Sequence, residues 1–333
     1  MKRFWNIHNY NHKYAQELEK ALGLIKPYLI DAFTDFYGKN YRVQIAYVIE
    51  HLHYVIFLSE NAFKLLKEEN VNQRYDQMIQ YYLAFFQFFH QKTKKIVDSD
   101  QFEREYIHSF VVASSFDHKL FSRFAHSIFN SIEIDYPFYT VYCNNEQSWK
   151  IIFLPLLAFD LEVLIHEINH AIMLDAVAYT DDEIIMPWLF PEEECDELFN
   201  DFISNQILTL YQKRGFPIPS VFRRFQLRND YPDFFYLIDS FYYVFQNVIK
   251  ESIMTKNFNL LREVAGKDDF SLFCSCVHHY YLKGGCTKQE FDFLNQLVLK
   301  MNDHAFSVFD MDYESTIHEL ERNGFKVRRL KKE

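Results

Sequence analysis

The chain has 333 residues, 49% hydrophobic, 24% charged and 19% aromatic, which is ample for a full-sized core and excludes disordered, collagen-like and small disulfide-scaffold chains. Only 7 glycines and 8 prolines predict long uninterrupted elements joined by few tight turns, hence a mainly α protein. Lys+Arg 35 against Asp+Glu 46 leaves a net charge of −11, a surface that repels phosphate backbones, so nucleic acid is not the expected partner.

The N-terminal residues are basic but lack a following apolar run, so no secretory signal is expected. From residue 12 to about residue 98 apolar side chains recur every three or four positions. Ile45, Val48, Ile49, Leu52, Val55 and Ile56 form one such stripe, and Met78, Tyr81, Tyr82, Phe85, Phe86 and Phe89 another. Both read as amphipathic helices, the second over residues 75–95. Residues 45–58 and 81–89 are too short and too polar to cross a bilayer, so no membrane span is expected.

The period changes between residues 132 and 154. Ile132, Ile134, Phe138, Thr140 and Tyr142 alternate, Asn144-Asn145 offers a turn, and residues 149–154 are a β-prone run, which together predict an antiparallel hairpin. Pro155 can open a helix, and nothing in residues 156–178 interrupts one. Residues 179–190 read as a surface loop, residues 192–213 as another helix, and residues 221–323 as several more. The expected fold is therefore α+β, mainly α with a small antiparallel sheet, in three regions. These are an N-terminal helical region at 1–110, a central region at 111–213 that carries the hairpin and the two helices after it, and a C-terminal helical region at 214–333.

The chemistry is concentrated on two of these helices. His166-Glu167-Ile168-Asn169-His170 is an H-E-x-x-H motif. Its imidazoles, four apart, share a helical face and can reach one metal ion, with Glu167 one step round the helix as general base. Zinc then needs a third protein ligand and leaves a fourth position for water. Glu197 and Asp201 on the next helix are also four apart: Glu197 can bind the metal while Asp201 holds the outer nitrogen of a ligand imidazole. Glu192 and Asp196 form a rival pair. Glu197 is preferred because Leu198, Phe199, Phe202 and Ile203 embed it in mid-helix, where a charge does not serve the helix dipole.

With both patterns in place, the sequence resembles the gluzincin metallopeptidases, in which H-E-x-x-H is followed by a Glu ligand within E-x-x-x-D on a later helix. The resemblance covers only residues 149–201. It implies a zincin-like catalytic core, His166, His170 and Glu197 as zinc ligands, Glu167 as base, Asp201 behind the ligands, and hydrolysis of a protein or peptide substrate. Asp196 stands where thermolysin-like members have Asn, and no Gly-Ala-Met-Glu-Asn signature occurs, which counts against aminopeptidase action. In such relatives a later His or Tyr stabilises the oxyanion, and His278, His279, Tyr280 and Tyr281 are the densest later cluster. His279 and Tyr280 are taken as the candidates.

Five cysteines without framework spacing predict reduced thiols in a cytoplasmic protein. The group Cys274, Cys276, His278, His279 and Cys286 reads as buried thiols and ordinary histidines, because Cys274 and Cys276 fall on nearly opposite faces of a helix. Two other functions compete with a metallopeptidase. One is a different zinc amidohydrolase, for which a deformylase-like site would want a Cys ligand upstream, where only Cys143 lies. The other is a helical interaction protein with a structural zinc site.

Overall fold

A computed structural model describes residues 4–57, 111–114, 138–143, 148–155, 161–173, 178–180, 183–185, 193–219, 222 and 232–309. Helices dominate them. α1 (Phe4–Tyr37) carries Pro27 in its interior, where the missing N–H removes one helical hydrogen bond. Its buried residues Ala21, Leu22, Ile25, Leu29, Ala32, Phe33 and Phe36 recur at helical spacing. After a single turn at Lys39–Tyr41 comes α2 (Arg42–His51), with Ile45, Val48 and Ile49 buried.

The helix whose apolar stripe was expected to reach Ile56 stops at His51, and His53–Phe57 forms strand β1. The five residues His-Tyr-Val-Ile-Phe explain the change, since β-branched and aromatic side chains fit a pleated surface better than a helix. β2 (Val111–Ser114), β3 (Phe138–Cys143) and β4 (Ser148–Pro155) complete a sheet of order β2-β1-β4-β3. β3 and β4 pair antiparallel from Phe138↔Phe153 to Cys143↔Ser148. β1, however, pairs parallel with β4, His53 opposite Ile151, so the sheet is mixed where an antiparallel one was expected. The expected helix at 75–95 and the alternating residues 132 and 134 lie outside the described residues.

α3 (Leu161–Met173) is shorter than the stretch that glycine and proline left open, for Ala178–Thr180 is strand β5 and pairs with β6 (Glu183–Ile185). Part of the loop expected over residues 179–190 is thus paired strand, with Ala178 opposite Ile185 and Thr180 opposite Glu183, while residues 186–190 lie outside the described residues. α4 (Glu193–Lys213), α5 (Pro232–Thr255), α6 (Phe258–Ala265), α7 (Lys267–Leu282) and α8 (Lys288–Phe309) follow. Among the described residues no helix is long and apolar enough to cross a membrane.

Contacts sort the chain into two units, each assembled from separate stretches. One comprises Met1–Asp35, Arg42–Ala171 and Leu208–Leu227. Within it Tyr28 packs on Phe216 at 5.0 Å, Arg214 pairs with Asp35 at 2.7 Å, and the buried Tyr211 donates its hydroxyl to the Pro217 carbonyl at 2.7 Å. Burial pushes the Tyr211 phenol up to about 12, which keeps that donor protonated.

The other comprises Phe36–Tyr41, Ile172–Ile207 and Arg228–Glu333, and its core is aromatic. The fully buried Phe241 stacks on Phe245 at 4.4 Å and on Phe273 at 5.8 Å, and it meets Phe199 edge-on at 5.5 Å. Offset and edge-on rings satisfy the aromatic quadrupole as well as burying area. The turn from α7 into α8 is equally explicit. Gly285 N–H reaches the Tyr280 carbonyl and Gly284 N–H that of Tyr281, both at positive φ, as in a glycine-terminated helix end. Thr287 and Glu290 then cap each other's backbone N–H at the start of α8.

The Lys283 ammonium first, and then the Thr287 N–H, hold the Glu290 carboxyl down at about 2, against an ordinary 4.5. A carboxylate depressed by folding stabilises the native state above its unfolded pKa, and that stabilisation is lost as pH falls through the folded value. The melting-temperature gap between wild type and Glu290→Gln should therefore be constant near neutrality and close as pH drops from about 4.5 to about 2. A gap unchanged at the acid end would refute the assignment.

Candidate metal centre

α3 is apolar nearly all round. Leu161, Val163, Leu164, Ile165, Ile168, Ala171, Ile172 and Met173 are all buried, and such a helix belongs in a core. Set into it are Glu167, 2% exposed, Asn169, 0%, and His170, 5%, with His166 part-exposed. Polar groups are placed this deep only where other polar groups or an ion meet them.

One turn of helix brings the two imidazoles together. Their Nε2 atoms lie 3.0 Å apart and their rings meet edge to face at 4.7 Å. Two nitrogens bound tetrahedrally to one zinc at 2.0–2.1 Å are separated by about 3.3 Å, so the pair is already close to the edge of such a site. Glu197 of α4 completes a group. Ligand atoms of His166, His170 and Glu197 all lie within 4.8 Å of one another. Two imidazoles and a carboxylate are a donor set that suits zinc and other first-row divalent ions.

Along α4 the burial pattern separates the two registers weighed from the sequence. Glu197, Asp201 and Asn205 are part-exposed, whereas Asp196, Asn200 and Ser204 form a buried polar row at the same four-residue spacing. The metal-capable group takes its carboxylate from the first row. Glu192 lies outside the described residues. Asp201 follows Glu197 by one turn on the same face. The buried polar row had no signal in the sequence, because side chains capable of capping and turning look alike whether they face water or a core.

The expected oxyanion donors are placed on α7. His279 is exposed and Tyr280 part-exposed, their rings 5.5 Å apart, and Lys283 Nζ lies 4.9 Å from the Tyr280 ring centre. Burial raises the pKa of the neighbouring Cys276 thiol. Neither residue belongs to the metal-capable group. Cys274 is buried and Cys276 part-exposed, the division expected of positions on nearly opposite helical faces. Together with His278, His279 and Cys286 they form no second metal-capable group among the described residues.

No protein-family model, no curated protein and no solved structure matches the chain. The donor set and its geometry therefore carry the assignment. Protein prepared in zinc should hold about one ion per chain, the stoichiometry of a three-ligand site. Glu197→Ala should weaken binding by more than the about 10- to 100-fold that loss of a supporting partner costs. Competition against a chromophoric chelator checks both, and an unchanged affinity in Glu197→Ala would remove it from the ligand set.

Proposed function

We propose that the chain is a zinc-dependent metallopeptidase with a zincin-like core, hydrolysing peptide bonds of a protein or peptide substrate in the cytoplasm. The observation that carries the reading is the 3.0 Å approach of His166 and His170 on a helix that also buries Glu167 between them in sequence. The succession of strand β4, motif helix α3 and carboxylate helix α4 supports a zincin-like order. The reduced-thiol composition supports the compartment. A Glu third ligand favours a peptidase over a deformylase-like amidase, which would draw on Cys.

His166, His170 and Glu197 would hold the ion. When bound, zinc acidifies water and polarises a carbonyl, which are the two activations that amide hydrolysis needs. The protein's own part is proton transfer and positioning. Glu167 is adjacent to His166 in the motif, and its carboxylate is acceptor-only when ionised. It takes the proton of the attacking water and returns it to the departing amine, so that one side chain serves as base and then as acid. Burial of Glu167 excludes competing solvent from that transfer. Asp201, one turn from Glu197, is the carboxylate that would orient a ligand imidazole and fix its tautomer.

Two variants separate these roles. Glu167→Gln keeps volume and removes the proton acceptor, so it should retain zinc while chelator-sensitive cleavage of a peptide library, read by mass spectrometry, falls by about 10²-fold or more. Equal cleavage by the variant would refute the base. A zinc-loaded wild type that cuts no peptide would favour the structural-zinc reading.

Asp201→Asn should weaken zinc by about 10- to 100-fold without lowering the melting temperature. Asp196→Asn, in the buried row, should instead cost stability of about 1–3 kcal/mol and leave zinc affinity near wild type. The opposite pattern in chelator titration and thermal melts would transfer the supporting role to Asp196.

A further inference from the structure

A helix leaves its last four carbonyls without partners inside itself. In α3 these belong to His170, Ala171, Ile172 and Met173. Two lysines reach three of them. Lys150 of β4 donates its Nζ to the Ala171 carbonyl at 3.2 Å. Lys256 donates to the Ile172 carbonyl and, at 3.3 Å, to that of Met173. The remaining carbonyl is that of His170 itself.

Lys256 is unusual in its backbone as well. It follows the last residue of α5 with φ of 60°, and among the described residues it alone of the non-glycines has positive φ. Gly38, Gly215, Gly266, Gly284 and Gly285 take the other such positions. Glycine is the unstrained residue for a left-handed helix terminus. A lysine there incurs a steric penalty, and its side-chain hydrogen bonds to the Ile172 and Met173 carbonyls help to offset it. The side chain ends at the negative pole of α3, where a cation also meets the helix macrodipole favourably.

We propose that Lys256, assisted by Lys150, is a positioning residue for the metal site, pinning the last turn of α3 so that His170 stays in register with His166. The inference rests on the metal reading above. The 3.0 Å approach of the two Nε2 atoms exists only while residues 166–170 keep helical geometry, and helix ends fray within the last turn unless their carbonyls are taken up. His170 begins that turn. Two lysine ion pairs, Lys283 with Glu290 and Lys300 with Asp269, lie instead between α7 or its C-terminal end and α8, and Lys300 provides a control.

The test is zinc affinity by chelator competition on the full chain, with the cobalt(II) absorption spectrum and thermal melting in parallel, for wild type, Lys256→Gly, Lys256→Arg, Lys150→Met and the control Lys300→Met. Lys256→Gly relieves the backbone strain and removes the ammonium. It should melt no lower than wild type yet bind zinc about 10-fold or more weakly, as loss of a supporting group does, with an altered cobalt spectrum. Lys256→Arg, which can still donate to both carbonyls, should restore affinity. Lys150→Met should shift affinity in the same direction as Lys256→Gly, and Lys300→Met should not. A wild type that binds no zinc brings down the metal reading and this role with it. A zinc-binding wild type matched in affinity by Lys256→Gly overturns the positioning role alone. If Lys256→Gly does not fold, wild-type affinity in Lys150→Met overturns it.

Discussion

Everything the site can do depends on one helical spacing. His166 and His170 converge because α3 advances them by a little more than one turn, and they remain converged because the rest of α3 cannot leave the core. Sliding or rotating the helix would expose Ile165, Ile168 or Ile172, each at most 3% exposed, and each fully buried aliphatic side chain is worth about 1.5–3 kcal/mol. The apolar majority of the helix thus fixes the polar minority. Glu167 and Asn169 share that burial, so the polar positions of the motif inherit their placement from residues with no chemistry of their own.

The aromatic core of the second unit does a comparable job for α4. Phe199 meets Phe241 edge-on, and Phe202 packs against Tyr242 at 4.9 Å. These contacts bracket Asp201 and begin two residues after Glu197, fixing the rotation of α4 about its axis. With Phe199 inward, Glu197 and Asp201 are carried to the part-exposed side and Asp196 and Asn200 to the buried one. Which acids of α4 lie on the part-exposed face is therefore decided by ring packing, while their chemical identity comes from the sequence.

This division explains what could be read in advance. H-E-x-x-H and E-x-x-x-D were legible because residues four apart share one face of a helix, and α4 was legible because proline at 191 and glycine at 215 bracket it. Strand β1 was not: Val55 and Ile56 fit the helical period of Ile45, Val48 and Ile49 as well as they fit a strand, and only pairing with β4 decides between the two. The extent of α3 was misread for a related reason, since absence of glycine and proline permits a helix without requiring one. The grip of Lys150 and Lys256 on α3 had no local signature at all, because it joins residues far apart in sequence and, for Lys256, depends on a backbone conformation that lysine rarely adopts.

The parallel pairing of β1 with β4 also bears on the order in which the protein can be made. His53 must wait for Ile151 before that edge of β4 closes, and pairings so distant in sequence are slow to find because chain closure precedes any compensating contact. During synthesis β1 leaves the ribosome long before its partner, carrying an unsatisfied edge of the kind that invites pairing with other chains. The motif helix follows β4 directly, so the imidazole pair emerges only at the moment when the strand it trails acquires a template. A nascent chain therefore cannot bring His166, His170 and Glu197 together before residues 1–197 have been translated.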